Sequence, residues 1–129
     1  MGRLRRHEKG QTMVEFALIM PVLALMLLAI IDFGRVTSAG LIVSHGAREG
    51  ARVAATGAPA ATVVAWVQST TSGLDPANLT VGTANTQGPS GQPVTVGVTY
   101  TVSIVTPLIS SFFPQNPYPV SSVAVMRLE

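Results

Sequence analysis

Phe16–Ile31 is an unbroken apolar run without a single charged residue. With Val14 and Phe33 it reaches roughly 20 residues, the length a helix needs to cross a hydrocarbon core of about 30 Å. Leu, Met and Ala dominate it, and these are good helix formers. A chain built around such a run must place it in lipid or bury it in an assembly. The remaining composition agrees. With 129 residues there is room for one small domain beside the run, and only 11% of the residues are charged, whereas a soluble domain usually carries about a quarter. Pro21 lies inside the run and is expected either to kink the helix or to sit in its early turns; membrane helices tolerate Pro where the freed backbone groups find partners.

The charges that exist are unevenly placed. Arg3, Arg5, Arg6 and Lys9 face one acid, Glu8, within the first ten residues, while four basic and five acidic residues follow from Gln11 onward. Basic residues flanking the start of a span predict a cytoplasmic N-terminus and an exported C-terminus. The basic pI therefore belongs to the N-terminal tract and not to a folded face, so nucleic-acid binding gains no support. Without Cys the chain has no disulfide, thiolate metal site or Cys nucleophile. A cleaved secretory signal fits poorly, although Thr37-Ser38-Ala39 would serve as a small-residue cut site. The apolar run exceeds the usual length of about 7–15 residues, and Asp32 and Arg35 stand between it and that site. A plain uncleaved anchor remains the competing reading.

Glu15 sets that reading under strain. It lies at the head of the apolar run, beyond Met13 and Val14, where an ionisable group is costly unless it is near the interface or paired. Such a residue is a functional candidate by default, and its natural partner is a cation in the same thin layer of the membrane.

The tract Lys9-Gly10-Gln11-Thr12-Met13-Val14-Glu15-Phe16 resembles the prepilin peptidase signal of type IV pilin-like proteins: a short basic leader, a Gly, then Glu five residues on at the head of a hydrophobic helix. The resemblance narrows with Phe16-Ala17-Leu18 and Pro21, with Ile31-Asp32-Phe33-Gly34-Arg35, and with Ala47-Arg48-Glu49-Gly50-Ala51-Arg52. Over roughly residues 10–55 this combined pattern looks like the TadE-like family of pilus-assembly pseudopilins. The end of the chain, Ala124-Val125-Met126-Arg127-Leu128-Glu129, also resembles short family members. The resemblance implies that a membrane aspartyl peptidase cuts between Gly10 and Gln11. The new ammonium on Gln11 would then lie four residues from Glu15, whose carboxylate could neutralise it or the amine of a neighbouring subunit. In a low-dielectric layer that pairing is worth far more than in water. Gln11 departs from the Phe that many type IVa pilins carry at the first mature position.

Beyond the span, Arg35–Ala55 stays compatible with helix, and Gly57 and Pro59 are the first strong stop signals. One helix is expected from about Gln11 to Ala55, roughly 65 Å at about 1.5 Å per residue. Leu41, Ile42, Ala51, Val53 and Ala54 are the expected apolar stripe of its outer half. Gly34, Gly40, Gly46 and Gly50 weaken it locally, by about 1 kcal/mol each against Ala, or else allow close approach of neighbouring helices. Asp32 with Arg35 and Arg48 with Glu49 and Arg52 read either as a solvated face with weak local pairs or as intersubunit ion pairs.

Ala60–Ser72 reads as a second helix with Val63, Val64, Trp66 and Val67 on its apolar face, Trp66 being expected as a core anchor. Asn78–Ala84 alternates weakly, Val94–Ile104 alternates cleanly, and Ser122–Leu128 is a third strand. Pro107, Pro114, Pro117 and Pro119 break up the connection to it, within which Leu108, Ile109, Phe112 and Phe113 are expected to cap the sheet. A head of about 70 residues without staples has a marginal core and gains by laying its apolar strand face on the helix near Leu41–Ala55. The expected fold class is α+β and type IV pilin-like: a long N-terminal transmembrane helix, a short second helix and a small antiparallel three-stranded sheet. The expected division is a leader at 1–10, a long helix at 11–56 with its transmembrane part at about 14–33, and an exported head at 57–129.

His7 would leave with the leader, His45 has no carboxylate at metal-ligand spacing, and Asp75 beside Pro76 reads as a turn residue. No nucleophile–base pair, phosphate loop or metalloprotease motif is present, so neither an enzyme nor a cofactor nor a small-molecule substrate is expected. The leading expectation is a minor pilin of a tight-adherence pilus in the cytoplasmic membrane. Its expected partners are the lipid bilayer, the prepilin peptidase, other pilins and the assembly platform. The alternatives are an anchored exported binding module and a minor pseudopilin of a type II-like secretion system.

Overall fold

The computed structural model describes residues 5–129, without the side chains of residues 5–9 and 108. Arg3 thus lies outside the described residues, as do the side chains of Arg5, Arg6, His7, Glu8, Lys9 and Leu108.

A single helix, α1 (Arg5–Ala55), of 51 residues runs unbroken through Pro21. At about 1.5 Å per residue it is about 77 Å long, and it starts six residues before the expected Gln11. It stops where glycine permits: Gly57 takes φ +76° and its N–H donates to the Ala54 carbonyl at 3.0 Å, a left-handed turn that closes helix ends. The Glu129 N–H donates to the Ala55 carbonyl at 3.0 Å, so the end of the chain caps the end of α1. After the turn come α2 (Ala60–Thr70), a single 3-10 turn at Pro76–Asn78, then β1 (Leu79–Ala84), β2 (Pro93–Val102), the short α3 (Pro107–Ser110) and β3 (Tyr118–Arg127).

The strands form an antiparallel sheet in the order β1-β2-β3, with Val81 opposite Val98 and Val98 opposite Ser122. Alternation sends Val94, Val96, Val98 and Val102 inward, where they are buried. β3 begins at Tyr118, earlier than Ser122, because an edge strand tolerates a proline such as Pro119 that a central strand would not. The Gly91 N–H and the Leu128 N–H close the sheet's end, donating to the Leu128 carbonyl at 2.8 Å and the Gln92 carbonyl at 2.9 Å respectively.

The core lies between the sheet, α2 and the outer half of α1. Its helical face is Val43, Ala47, Ala51 and Ala54, with Gly46 and Gly50 also buried. Residues three and four apart share a face, so this stripe of small side chains is one continuous contact surface. Leu41 is not part of it and is 70% exposed; Ile42 and Val53 are only half-buried. Size explains the difference from the sequence expectation, which favoured the largest apolar residues. A Cβ on Gly50 would lie 2.5 Å from Val67 Cγ2 and 3.1 Å from Val96 Cγ1, and one on Gly46 would lie 2.6 Å from Thr71 Cγ2. The second helix and the central strand both press onto these two glycines.

The same closeness displaces Trp66. α2 presents Val63 and Val67, four residues apart, to α1, and both are fully buried. Trp66 stands one position, about 100° around the helix, away from Val67 and is 46% exposed. It is not the core anchor the sequence suggested, because a contact set by glycine and valine has no room for an indole.

Adding one methyl at Gly50 should therefore overpack the core. Val67 and Val96 are stiff at χ1, and Gly50→Ala should cost about 1–3 kcal/mol, lowering the unfolding midpoint of the detergent-solubilised protein. Gly34 has nothing within 4 Å of its Cβ position, so Gly34→Ala should leave the midpoint unchanged or raise it, by up to about 1 kcal/mol of helix propensity. Equal midpoints for the two variants would contradict the close approach.

Candidate processing and assembly site

The sequence candidates fall into three groups along α1. Gly10, Gln11 and Glu15 lie near its N-terminal end, Asp32 and Arg35 at the far end of the apolar run, and Arg48, Glu49 and Arg52 on the helix beyond. Glu15 and Asp32 are 17 residues apart, about 25 Å along the axis.

In the first group every residue from Gly10 to Met20 is exposed. Gln11 and Glu15 share a helical face, and the Gln11 Nε2 donates to Glu15 Oε1 at 3.1 Å. The Gln11 side chain and the Glu15 carboxylate thus meet on the helix surface. Gly10 has nothing within 4 Å of its Cβ position, so packing in the chain itself gives no reason for glycine there.

Asp32 is the one buried carboxylate among the described residues, 3% exposed. Its Oδ2 accepts from the Thr106 Oγ1 at 2.7 Å, the Thr106 N–H at 2.9 Å and the Val105 N–H at 3.2 Å. Arg35 Nη1 lies 3.4 Å from Oδ1 and also donates to the Ser103 carbonyl at 3.2 Å. The expected i,i+3 pair forms, yet the acid is not on a solvated face. It holds the segment that leaves β2, and Arg35 holds the same segment from the side. That segment is closed further by Asn116, whose Oδ1 accepts from the Ile104 N–H at 3.0 Å while its Nδ2 donates to the Ile104 carbonyl at 3.2 Å. Sequence reasoning missed Thr106 and Asn116. Thr106 before Pro107 is a local helix-start signal, but nothing in the sequence pairs it with Asp32, 74 residues away.

In the third group Arg52 makes a two-nitrogen contact to Glu49, with Nη2–Oε2 at 2.9 Å and Nε–Oε2 at 3.2 Å. Arg48 is exposed and has no ion pair among the described residues. A cleft of about 590 Å³ beside Arg35 is lined in part by Ser38, Ile42, Asp75 and Tyr100; its arginine is already engaged by Asp32 and Ser103.

None of the apolar window of α1 is buried by the rest of the protein. It is not the core helix of a soluble domain, and it continues without a break into the half that carries the head. The class these features define is a pilin-like α+β protein with one helix long and apolar enough to anchor it in a membrane. The family model described as TadE-like protein matches residues 10–52, which is most of α1 and includes all three groups of candidates. The match covers about a third of the chain; over that stretch the chain is similar to TadE-like proteins, and α1 supplies one helix long and apolar enough to cross a membrane. No curated protein and no solved structure matches the chain.

Removing the Asp32 carboxylate leaves three donors without their acceptor. Each buried unsatisfied donor costs about 1–3 kcal/mol, so Asp32→Ala should lower the unfolding midpoint and expose residues 103–117 to protease. Arg35 has a half-exposed side chain, and Arg35→Ala should cost less than about 1 kcal/mol. If protease resistance were unchanged in Asp32→Ala, the carboxylate would not be what holds this segment.

Proposed function

We propose that the chain is a minor pilin, or pseudopilin, cut by a prepilin peptidase between Gly10 and Gln11 and then used in assembling a tight-adherence pilus. The observation that carries this reading is the placement of Glu15. It is an exposed acid at the head of a lipid-length apolar helix, one helical turn from residue 11. Its contact in the uncut chain is the neutral Gln11 amide. A carboxylate in that layer needs a cation, and cutting before Gln11 would create one on the backbone nitrogen of the residue whose side chain already meets Glu15. Gly10 supports the same reading, because the fold places no demand for glycine at that position whereas a peptidase recognising a small residue would.

In this reading residues 1–10 are a leader, the N-terminus is cytoplasmic, the head from residue 57 is exported, and the anchoring membrane is the cytoplasmic one. The role is structural and not enzymatic. The partners are the peptidase, other pilins and the assembly platform. Arg48, exposed and without an ion pair among the described residues, together with the Glu49–Arg52 pair, is the part of α1 available to neighbouring subunits. Asp32 is engaged within its own subunit.

N-terminal sequencing of the membrane-extracted protein should return Gln11 as the first residue in cells with an active prepilin peptidase; an intact leader would remove the processing role. Glu15→Gln tests assembly separately. The substitution keeps the apolar run, so the protein should still be inserted and cut. It leaves an ammonium without its partner in a poorly hydrated layer, where breaking a buried pair costs about 3–5 kcal/mol. The variant should be lost from material that co-purifies with the assembly machinery. Equal recovery beside the unaltered protein would contradict the pairing.

A further inference from the structure

In the connection between β2 and β3, Phe113 packs on Tyr118 of β3, while Phe112, expected to cap the sheet, is 85% exposed. The connection turns down along α1 towards the apolar run, and Ile109 and Phe113 line an apolar recess of about 340 Å³ with Ala29, Ile30 and Phe33 of that run. We infer that this connection, residues 104–117, is a second membrane-contacting element, with Phe112 inserted in the interfacial layer of the leaflet on the head's side.

Four observations place it there. First, Asp32 pins Val105 and Thr106 to the helix, which sets the start of the connection at the level of Asp32. Ala29 is three residues back along the helix, about 4.5 Å deeper into the run, so the connection descends past the boundary that Asp32 and Arg35 mark. Second, Phe112 is 85% exposed, more than any other large hydrophobic residue described, while Ile30 and Phe33 beside the recess are themselves 64% and 69% exposed. The exposed aromatic is the chain neighbour of Phe113, which lines the recess against the apolar run of α1. Third, residues 104–117 contain no charged side chain, as befits a segment leaving water. Fourth, two aromatic residues, Phe33 and Phe113, line the recess, and Tyr118 meets Phe113. Phe113 and Tyr118 stack edge to face with centroids 5.0 Å apart. Tyr is enriched where one end of a side chain is apolar and the other wet, at the membrane–water interface.

Lipid is favoured over a neighbouring subunit because the patch continues the span itself and lies at the span's own depth. The head is then seated on the bilayer at two points, α1 and the Phe112 turn, instead of standing off on one helix. The inference rests on the reading of α1 as a membrane span.

The test uses the full chain in phosphatidylcholine vesicles carrying bromine on the acyl chains, at a low protein-to-lipid ratio. Trp66 is the only Trp. It lies on α2, which packs against Gly46 and Gly50, roughly 21–27 Å along α1 from Asp32, so the native protein reports the far side of the head. In a Trp66→Phe background, Phe112→Trp should emit at shorter wavelength than native Trp66 and be quenched several-fold more by the brominated lipid. Leu23→Trp in the same background is the reporter for the span. If the Leu23→Trp reporter is quenched and the Phe112→Trp reporter is not, the connection stands in water or against protein and the inference is overturned while the span remains. A short-wavelength emission at position 112 without bromine quenching means that protein covers the site, and this also overturns it. Failure of the Leu23→Trp reporter to be quenched removes the span itself, and the seat with it.

Discussion

Two glycines on the outer half of α1 govern how near anything can come to that helix. At Gly50 the backbone is met by Val67 of α2 and Val96 of β2 together, and at Gly46 by Thr71 just past α2. Because both the second helix and the central strand are brought in this close, a head with an all-aliphatic core of Val, Ala and Leu can be well packed without a large aromatic at its centre. Such a core is small, and contributions of roughly 25 cal/mol per Å² of apolar surface would leave a free-standing domain of this size marginal. Sharing α1 removes the problem. The helix serves as one wall of the head's core and, further towards its N-terminus, as its anchor.

The Asp32 carboxylate performs a different task with a different physics. Non-directional apolar contact sets how close the head lies, but it does not set the height of the β2–β3 connection along a helix of nearly uniform apolar surface. A buried acid with three donors on one oxygen does, because hydrogen bonds are directional and an unmet donor in a dry site is expensive. Arg35, reaching the same connection from the next turn, adds a second fix. The pair lies where the apolar run ends, so the register of the head on α1 and its height above the membrane edge are decided by the same contact.

This places the two acids of α1 in complementary positions. Glu15 is exposed at one end of the apolar run with a side-chain amide as its contact, open to a partner. Asp32 at the other end is saturated by its own chain. An acid already satisfied has little to offer a neighbour, whereas Glu15 has no cation partner among the described residues. Beyond the apolar run, Leu41, Arg48 and Arg52 are exposed on the outward face of α1.

The sequence by itself determined the features that depend on local chemistry. The uncharged run specifies a lipid-length helix, Gly57 ends it within two residues of the observed stop, and the alternation of Val94 to Ile104 specifies β2 and its buried side. The contact of Gln11 with Glu15 was legible for the same reason, since i,i+4 neighbours on a helix need no tertiary information. Tertiary structure alone decided which of several possible apolar stripes on α1 faces the head, because periodicity allows Leu41 and Val43 equally and only the close approach at Gly46 and Gly50 selects the small-residue face. It also turned Trp66 outward, extended β3 through Pro119 at a sheet edge, and brought Ile109 and Phe113 against the apolar run. The role of Asp32 was hidden for the clearest physical reason. Its partners at Val105 and Thr106 are two backbone amides and one hydroxyl more than 70 residues away, and a backbone N–H has no residue identity for a sequence to display.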